Sequence, residues 1–388
     1  MSSRAAYDDV VVACPTTLPY VRYSIHGAHW FLAGALAALL KRSGLAKDRI
    51  DGLCVSSFTL APDSAVGLTQ HLGLTLRWLD HIPMGGACGI VALRRAARAV
   101  QSGDADAVAC IAGDTNHTDS FRLNLATFSQ FARDAVYPYG SGGANASFAF
   151  LTAYYMRTYG AKPEDFGKLC VAQRTNALAF PTAMMKKPLT LDEYLTARVI
   201  ADPLRLYDCV MPCAGAEAFL VMRAGLARRH GLPFARVLAT IERHNAFADD
   251  AIALRGGWAI DRDALYAQAG AGPADMDVIA TYDDYPVMSM LQLEGLGLCG
   301  AGAAPHFVRR HTFTADGTCP LNTSGGQLSA GQAGAAGGMH GLVEAIRQLT
   351  GLTLGARVPD ARLGIVAGYG MVTYDRGVCS GAAVFART

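Results

Sequence analysis

A glycine-rich segment runs straight into an apolar, helix-forming stretch and then into a short strand-like one, and the chain does this twice. In the first copy Pro83-Met84-Gly85-Gly86-Ala87-Cys88-Gly89 leads into Ile90, Val91, Ala92, Leu93, Ala96, Ala97 and Val100, and then into Ala107–Asp114. In the second, the glycines at 325, 326, 331, 334, 337 and 338 precede Gly341-Leu342-Val343 and a helical stretch to Leu349, followed by Leu363–Ala367. Both strands end in Ala-Gly, at Ala112-Gly113 and Ala367-Gly368. A helix feeding a buried strand is the repeating unit of an α/β protein. The pattern predicts two similar halves, near 1–235 and 236–388.

Other segments extend the alternation. Val10–Cys14 and Ile50–Ser57 read as strands. Ala28–Ser43 reads as a helix closed by Lys41, Arg42 and Gly44, a C-terminal signal. In the second half Arg236–Glu242 and Met276–Tyr282 read as strands and Met288–Leu296 as a helix. Between about Asn116 and Pro212 the alternation fails, although helical segments remain near Ser147–Tyr159 and Pro163–Ala179. That stretch is expected to be an inserted loop domain lying over the core, a usual place for substrate contacts.

Composition narrows the function classes. With 51% hydrophobic and 17% charged residues, the chain is expected to pack tightly rather than stay disordered. A net charge of +2 gives no case for nucleic acid or an anionic membrane as partner. The longest apolar run, Trp30 to Leu40, is too short to span a bilayer. Ten cysteines without a regular framework suit a reducing cytoplasm. Cys209 and Cys213 lack a matching Cys/His pair, so no metal site is expected.

Cys88 stands where a nucleophile would. Unpaired N–H groups at a helix start favour a thiolate, and flanking glycines let a carbonyl approach the backbone. The alternative is a small buried hydrophobe, as many free cysteines are. The second glycine-rich loop lacks the Gly-Lys-Ser/Thr of a phosphate loop and is no dinucleotide fingerprint. It offers backbone donors and room for a ligand, or close packing.

In combination these segments resemble the thiolase superfamily, in its sterol-carrier-protein-type branch. Gly85-Gly86-Ala87-Cys88-Gly89 resembles the nucleophile segment. Tyr155–Gly160, Pro163-Glu164-Asp165, Pro188-Leu189-Thr190 and Ala201–Cys209 resemble the inserted domain. Tyr282-Asp283-Asp284-Tyr285 with Leu293-Glu294-Gly295-Leu296-Gly297 resembles the His-Asp-x-Phe segment, and Asn322-Thr323-Ser324-Gly325-Gly326 with its following loop the Gly-His-Pro region. The resemblance implies a duplicated thiolase fold in five layers, α-β-α-β-α, assembled as a homodimer or higher. It implies acyl transfer on a coenzyme A thioester through an acyl-cysteine, as Claisen condensation or thiolytic cleavage of a 3-oxoacyl-CoA. Coenzyme A is then a substrate, and no cofactor is tightly bound.

The sequence also departs from that family. The Gly-His-Pro histidine falls on Gln332, which can donate a hydrogen bond but is no base. Tyr282 takes the place of a His or Asn, beside Asp283. Near the C-terminus Cys379 is a candidate acid or base, although counting back from Ser380-Gly381 places Asp375, not Cys379, near the family's usual position. Gly326, Gly331, His117 and His340 are candidate substrate-binding positions. These changes resemble members that work with a small acyl-CoA-binding protein made of a zinc ribbon and an OB-fold. They leave open a retro-aldol lyase acting on a 3-hydroxyacyl-CoA through Tyr282, and a catalytically silent acyl-CoA-binding subunit.

Overall fold

The structure, a computed structural model, describes residues 6–116, 134, 138, 140, 143–372 and 376–388. The first half comprises β1 (Val10–Val21), α1 (Ala28–Ser43), β2 (Gly52–Ser56), α2 (Ala65–Leu72), β3 (Trp78–His81), α3 (Cys88–Ser102) and β4 (Ala107–Thr115). The inserted segment contributes α4 (Ala144–Tyr159), α5 (Pro163–Ala179), α6 (Leu191–Leu195) and the hairpin β5 (Val199–Ala201) and β6 (Leu204–Arg205). The chain returns through β7 (Ala214–Arg223) and α7 (Ala224–Arg229). The second half comprises β8 (Phe234–His244), α8 (Trp258–Ala269), β9 (Val278–Ala280), α9 (Pro286–Gly295), α10 (Ala304–Arg310), α11 (Gly326–Ala330), α12 (Gly337–Thr350), β10 (Leu363–Val372) and β11 (Gly377–Arg387).

The strands line up in the order β3-β2-β4-β7-β1-β8-β11-β10-β9. The duplication is visible in the pairing. β2 and β4 are parallel, and β4–β7 and β7–β1 antiparallel; β9 and β10 are parallel, and β10–β11 and β11–β8 antiparallel. α3 leads into β4 as α12 leads into β10. The halves join where Val11, Val12 and Ala13 pair with Arg236, Ala235 and Phe234.

Alternation along the strands builds the layers. In β1, Val11 and Ala13 face Phe31, Leu32 and Leu36 of α1, while Val10 and Val12 belong to the cluster around α3 and α12. In the second half Ile241 and Val384 pack outward with Trp258 and Leu265 of α8. The result is α1, the first-half strands, the α3–α12 pair, the second-half strands, and α8: five layers, with the two strand layers continuous through the β1–β8 pairing. The inserted helices lie over the second half, where Asp165 on α5 pairs with Arg309 on α10 at 2.6 Å.

β1 runs further than its first apolar residues suggest. The register shifts between Ala13 and Thr16, so a bulge at Cys14-Pro15 absorbs the proline and pairing resumes at Thr16. Among the described residues no helix is long and apolar enough to cross a membrane.

Candidate active site

Cys88 opens α3 after a tight turn, Gly85–Ala87. Gly85 has φ +52°, a conformation that favours glycine. At Gly86 a Cβ would lie 2.3 Å from the Tyr282 ring and 2.3 Å from the Tyr369 carbonyl oxygen, so only glycine fits. Facing this turn, a Cβ on Gly338 of α12 would lie 2.7 Å from Cys88 Sγ, and one on Gly89 would lie 2.2 Å from the Gly338 carbonyl oxygen. The glycines of both rich segments therefore let α3 and α12 meet backbone to backbone around the sulfur.

The Cys88 thiol is fully buried and donates to the Ala335 carbonyl at 3.2 Å. Burial pushes it up to about 12, against the smaller opposite effects of the Ser56 hydroxyl and the Gly89 N–H. The helix start, which by itself favours thiolate, is outweighed by desolvation. Among the described residues no imidazole or carboxylate hydrogen-bonds to the sulfur.

Ala335 is held by Asp114, at the end of β4, whose Oδ2 accepts the Ala335 N–H at 2.7 Å. Its Oδ1 accepts from Ser57 Oγ, the Phe58 and Thr59 N–H groups and Thr59 Oγ1, all within 2.7–2.9 Å. Sequence reasoning marked Asp114 only as a strand end. A carboxylate near the end of an apolar strand, next to Gly113, was the available signal.

Tyr282 lies across Gly86, and its oxygen accepts from Gln332 Nε2 at 3.1 Å. The backbone of Tyr282 is clamped by Gln292 of α9, which accepts its N–H at 2.9 Å and donates to its carbonyl at 2.7 Å. Burial, with Asp284 and Cys88 next in order, pushes the phenol well above its ordinary value. Gln332 is fixed by its own backbone, donating to the Met211 carbonyl at 2.9 Å and accepting from Cys213 N–H at 3.0 Å. The structure thus groups Cys88, Tyr282 and Gln332 around one glycine-lined point.

The other candidates stand elsewhere. Asp283 accepts the N–H groups of Gln327 and Leu328 at 2.9 and 3.3 Å, anchoring α11. Gly326, at φ +57°, lies against Asp283, with its Cβ position 2.0 Å from Oδ2. Gly331, at φ +110°, makes room for Met184 and Cys213, and its N–H donates to the Gln327 carbonyl at 3.1 Å. His340 is buried between Glu217 and Ser324. Cys379, between Gly370 and His244 in the ladder, is pushed up to about 12 by burial and by Glu242. His117 and Asp375 lie outside the described residues. Among the described residues no group of three or more His, Cys, Asp or Glu side chains could hold a metal ion.

Residues 243–379 match the family model described as thiolase C-terminal domain-like. The chain is 30% identical over 360 residues to the 17-hydroxy-3-oxo-4-pregnene-20-carboxyl-CoA lyase of Mycobacterium tuberculosis, covering 88% of this chain and 91% of that one. The chain belongs to the thiolase superfamily. Within it, the sterol-carrier-protein-type branch is the match: sterol carrier protein 2 of Gallus gallus is 27% identical over 83% of this chain and 62% of its own. Among solved structures, the Ltp2-ChsH2(DUF35) aldolase superposes with a TM-score of 0.83 at 26% identity, covering 98% of both chains. The thiolase relatives are enzymes, and this thiolase-fold chain is one as well.

Proposed function

We propose that this thiolase-superfamily enzyme is a carbon–carbon lyase that cleaves a 3-hydroxyacyl-CoA by a retro-aldol path. The observation that carries the reading is the contrast between two groups at one point. The Cys88 thiol is sealed, bonded to a backbone carbonyl and held up near 12. The Tyr282 hydroxyl accepts from Gln332 and keeps its own proton to donate. A phenol held neutral suits a hydrogen-bond donor to a substrate oxygen.

The step balances without an oxidant or a bound cofactor. The C2–C3 bond breaks, its electron pair passes to the thioester as an enolate, and C3 becomes a carbonyl. The proton lost by the hydroxyl is matched by the one gained at C2. The products are a shortened acyl-CoA and a ketone or aldehyde. Tyr282 would hold the oxygen at C3, with Gln332 fixing the phenol. The Mycobacterium tuberculosis relative, named as a lyase of a hydroxylated carboxyl-CoA, supports the same class.

Coenzyme A recognition is part of the proposal. Lys186, half of the Lys186-Lys187 pair on the insertion, donates to the carbonyls of Phe180 and Pro181 at 3.2 and 2.8 Å. It is tied to its own loop. A small zinc-ribbon and OB-fold partner would supply the remaining contacts, as the named pairing in the similar aldolase structure suggests.

Acyl transfer through Cys88 is the second reading, favoured by the position of the sulfur at the start of α3. The two separate on paired variants, tested on 3-hydroxyacyl-CoA thioesters with the co-purifying partner present. Tyr282→Phe should abolish release of the carbonyl product while Cys88→Ala retains it. The reverse ranking, with acyl-Cys88 accumulating in the wild type, transfers the function to the cysteine.

A further inference from the structure

Glu217 on β7, His340 on α12 and Ser324 in the loop before α11 form a hydrogen-bonded line through the middle of the molecule. His340 Nδ1 lies 2.8 Å from Glu217 Oε1, and Nε2 lies 2.7 Å from Ser324 Oγ. The three residues are 0%, 1% and 1% exposed in that order from Glu217. A carboxylate only accepts, so Nδ1 carries the proton and Nε2 accepts from the Ser324 hydroxyl. Glu217 is itself fixed, accepting from Tyr20 OH at 2.8 Å and Thr17 Oγ1 at 2.6 Å.

The order of groups is that of a serine nucleophile with its base and orienting acid. Ser324 cannot serve that role, because it is sealed and borders a cavity about the size of one water molecule. What it touches is more informative. The loop from 322 to 332 meets the Tyr282 segment on both sides. Asn322 Oδ1 accepts the Thr281 N–H at 2.9 Å, Gln327 and Leu328 donate to Asp283, and Gln332 donates to Tyr282 itself. Ser324 ties the start of this loop to the first half through His340 and Glu217, as the Met211 and Cys213 backbone bonds of Gln332 tie its end. Thr323 adds a bond to Glu344 of α12 at 2.9 Å.

We propose that His340 is a positioning residue: acting through Ser324, and oriented by Glu217, it sets the 322–332 loop and with it the Tyr282–Gln332 pair. The catalytic consequence rests on the lyase reading above; the effect on the loop does not. His340→Leu should lower kcat for 3-hydroxyacyl-CoA cleavage about 100-fold with KM little changed, since small misplacements at a reacting group cost that much. Glutamine donates and accepts at one end, so His340→Gln should recover most of the rate.

Hydrogen exchange gives a readout independent of activity. In His340→Leu and Ser324→Ala, amides in 322–332 should exchange about tenfold faster while β4 and α3 keep wild-type protection. Wild-type protection of that segment in both variants would overturn the proposal. So would acceleration spread evenly over the central layers without recovery in His340→Gln. Faster exchange confined to the loop, in a protein with no lyase activity, would uphold the positioning and remove the lyase reading.

Discussion

Asp114 and Cys88 meet through a single residue: Asp114 accepts the Ala335 N–H at 2.7 Å, and the Ala335 carbonyl accepts the Cys88 thiol at 3.2 Å. One buried carboxylate at the end of β4 therefore fixes the turn that holds the sulfur. Removing it leaves five donors without their acceptor. Asp114→Ala should cost roughly 3–5 kcal/mol in a urea unfolding titration, the range for breaking a buried charged network. A loss under about 1 kcal/mol would show that the turn holds without it.

Cys88 should be a slow thiol. At about 12, only about one part in 10,000 is thiolate at pH 8. Iodoacetamide should label Cys88 in the folded protein roughly 1,000-fold more slowly than in urea, read by peptide mass. Rapid labelling of the folded protein would contradict the sealed geometry and favour the acyl-transfer reading.

Gly86→Ala should be among the most damaging single-methyl substitutions. The added carbon falls 2.3 Å from both the Tyr282 ring and the Tyr369 carbonyl oxygen. The ring must turn away from Gln332 or the turn must move, at a cost of about 1–3 kcal/mol. Carbonyl-product release should fall with it. A variant with wild-type Tm and wild-type turnover would disprove the contact.

Two buried carboxyls set a pH dependence of stability. Burial pushes Asp283 up to about 7 and Asp208 up to about 6, from 3.8 when unfolded. Both values are raised, so their stabilising contribution is complete below the unfolded value and is lost as the pH rises through about 6 and then about 7. Asp283→Asn should flatten the upper part of the curve. Urea midpoints for wild type and variant should lie nearest each other at pH 5 and separate as the pH rises toward 7, with the wild type falling and the neutral variant lacking that loss. Parallel curves would show that Asp283 does not titrate in this window.

The helices and strands were largely legible because their signals are local. Ala28–Ser43 carried its own stop, and the twofold helix-to-strand unit marked α3–β4 and α12–β10. The glycines were visible but ambiguous. Gly89 and Gly338 serve a helix-to-helix approach that only the third dimension reveals. Cys88 was placed correctly on its helix, while its electrostatics were not readable, because burial depends on α12 packing over it. Asp114, Glu217 and Gln292 were missed for a similar reason. Each acts on a partner far along the chain, and no spacing rule links Asp114 to Ala335 or Glu217 to His340.

The position of β1 has a consequence during synthesis. This apolar strand leaves the ribosome before the other described strands, yet it sits in the middle of the ladder. Val10 waits for Arg223 on one side and Val11 for Arg236 on the other. Most of the chain must therefore emerge before the central strand is covered, a non-local closure that slows folding and leaves sticky surface open meanwhile. Truncated chains ending before β7 should emerge as clients of holdase chaperones, and yield in a heterologous host should respond to chaperone supply more than to inducer strength.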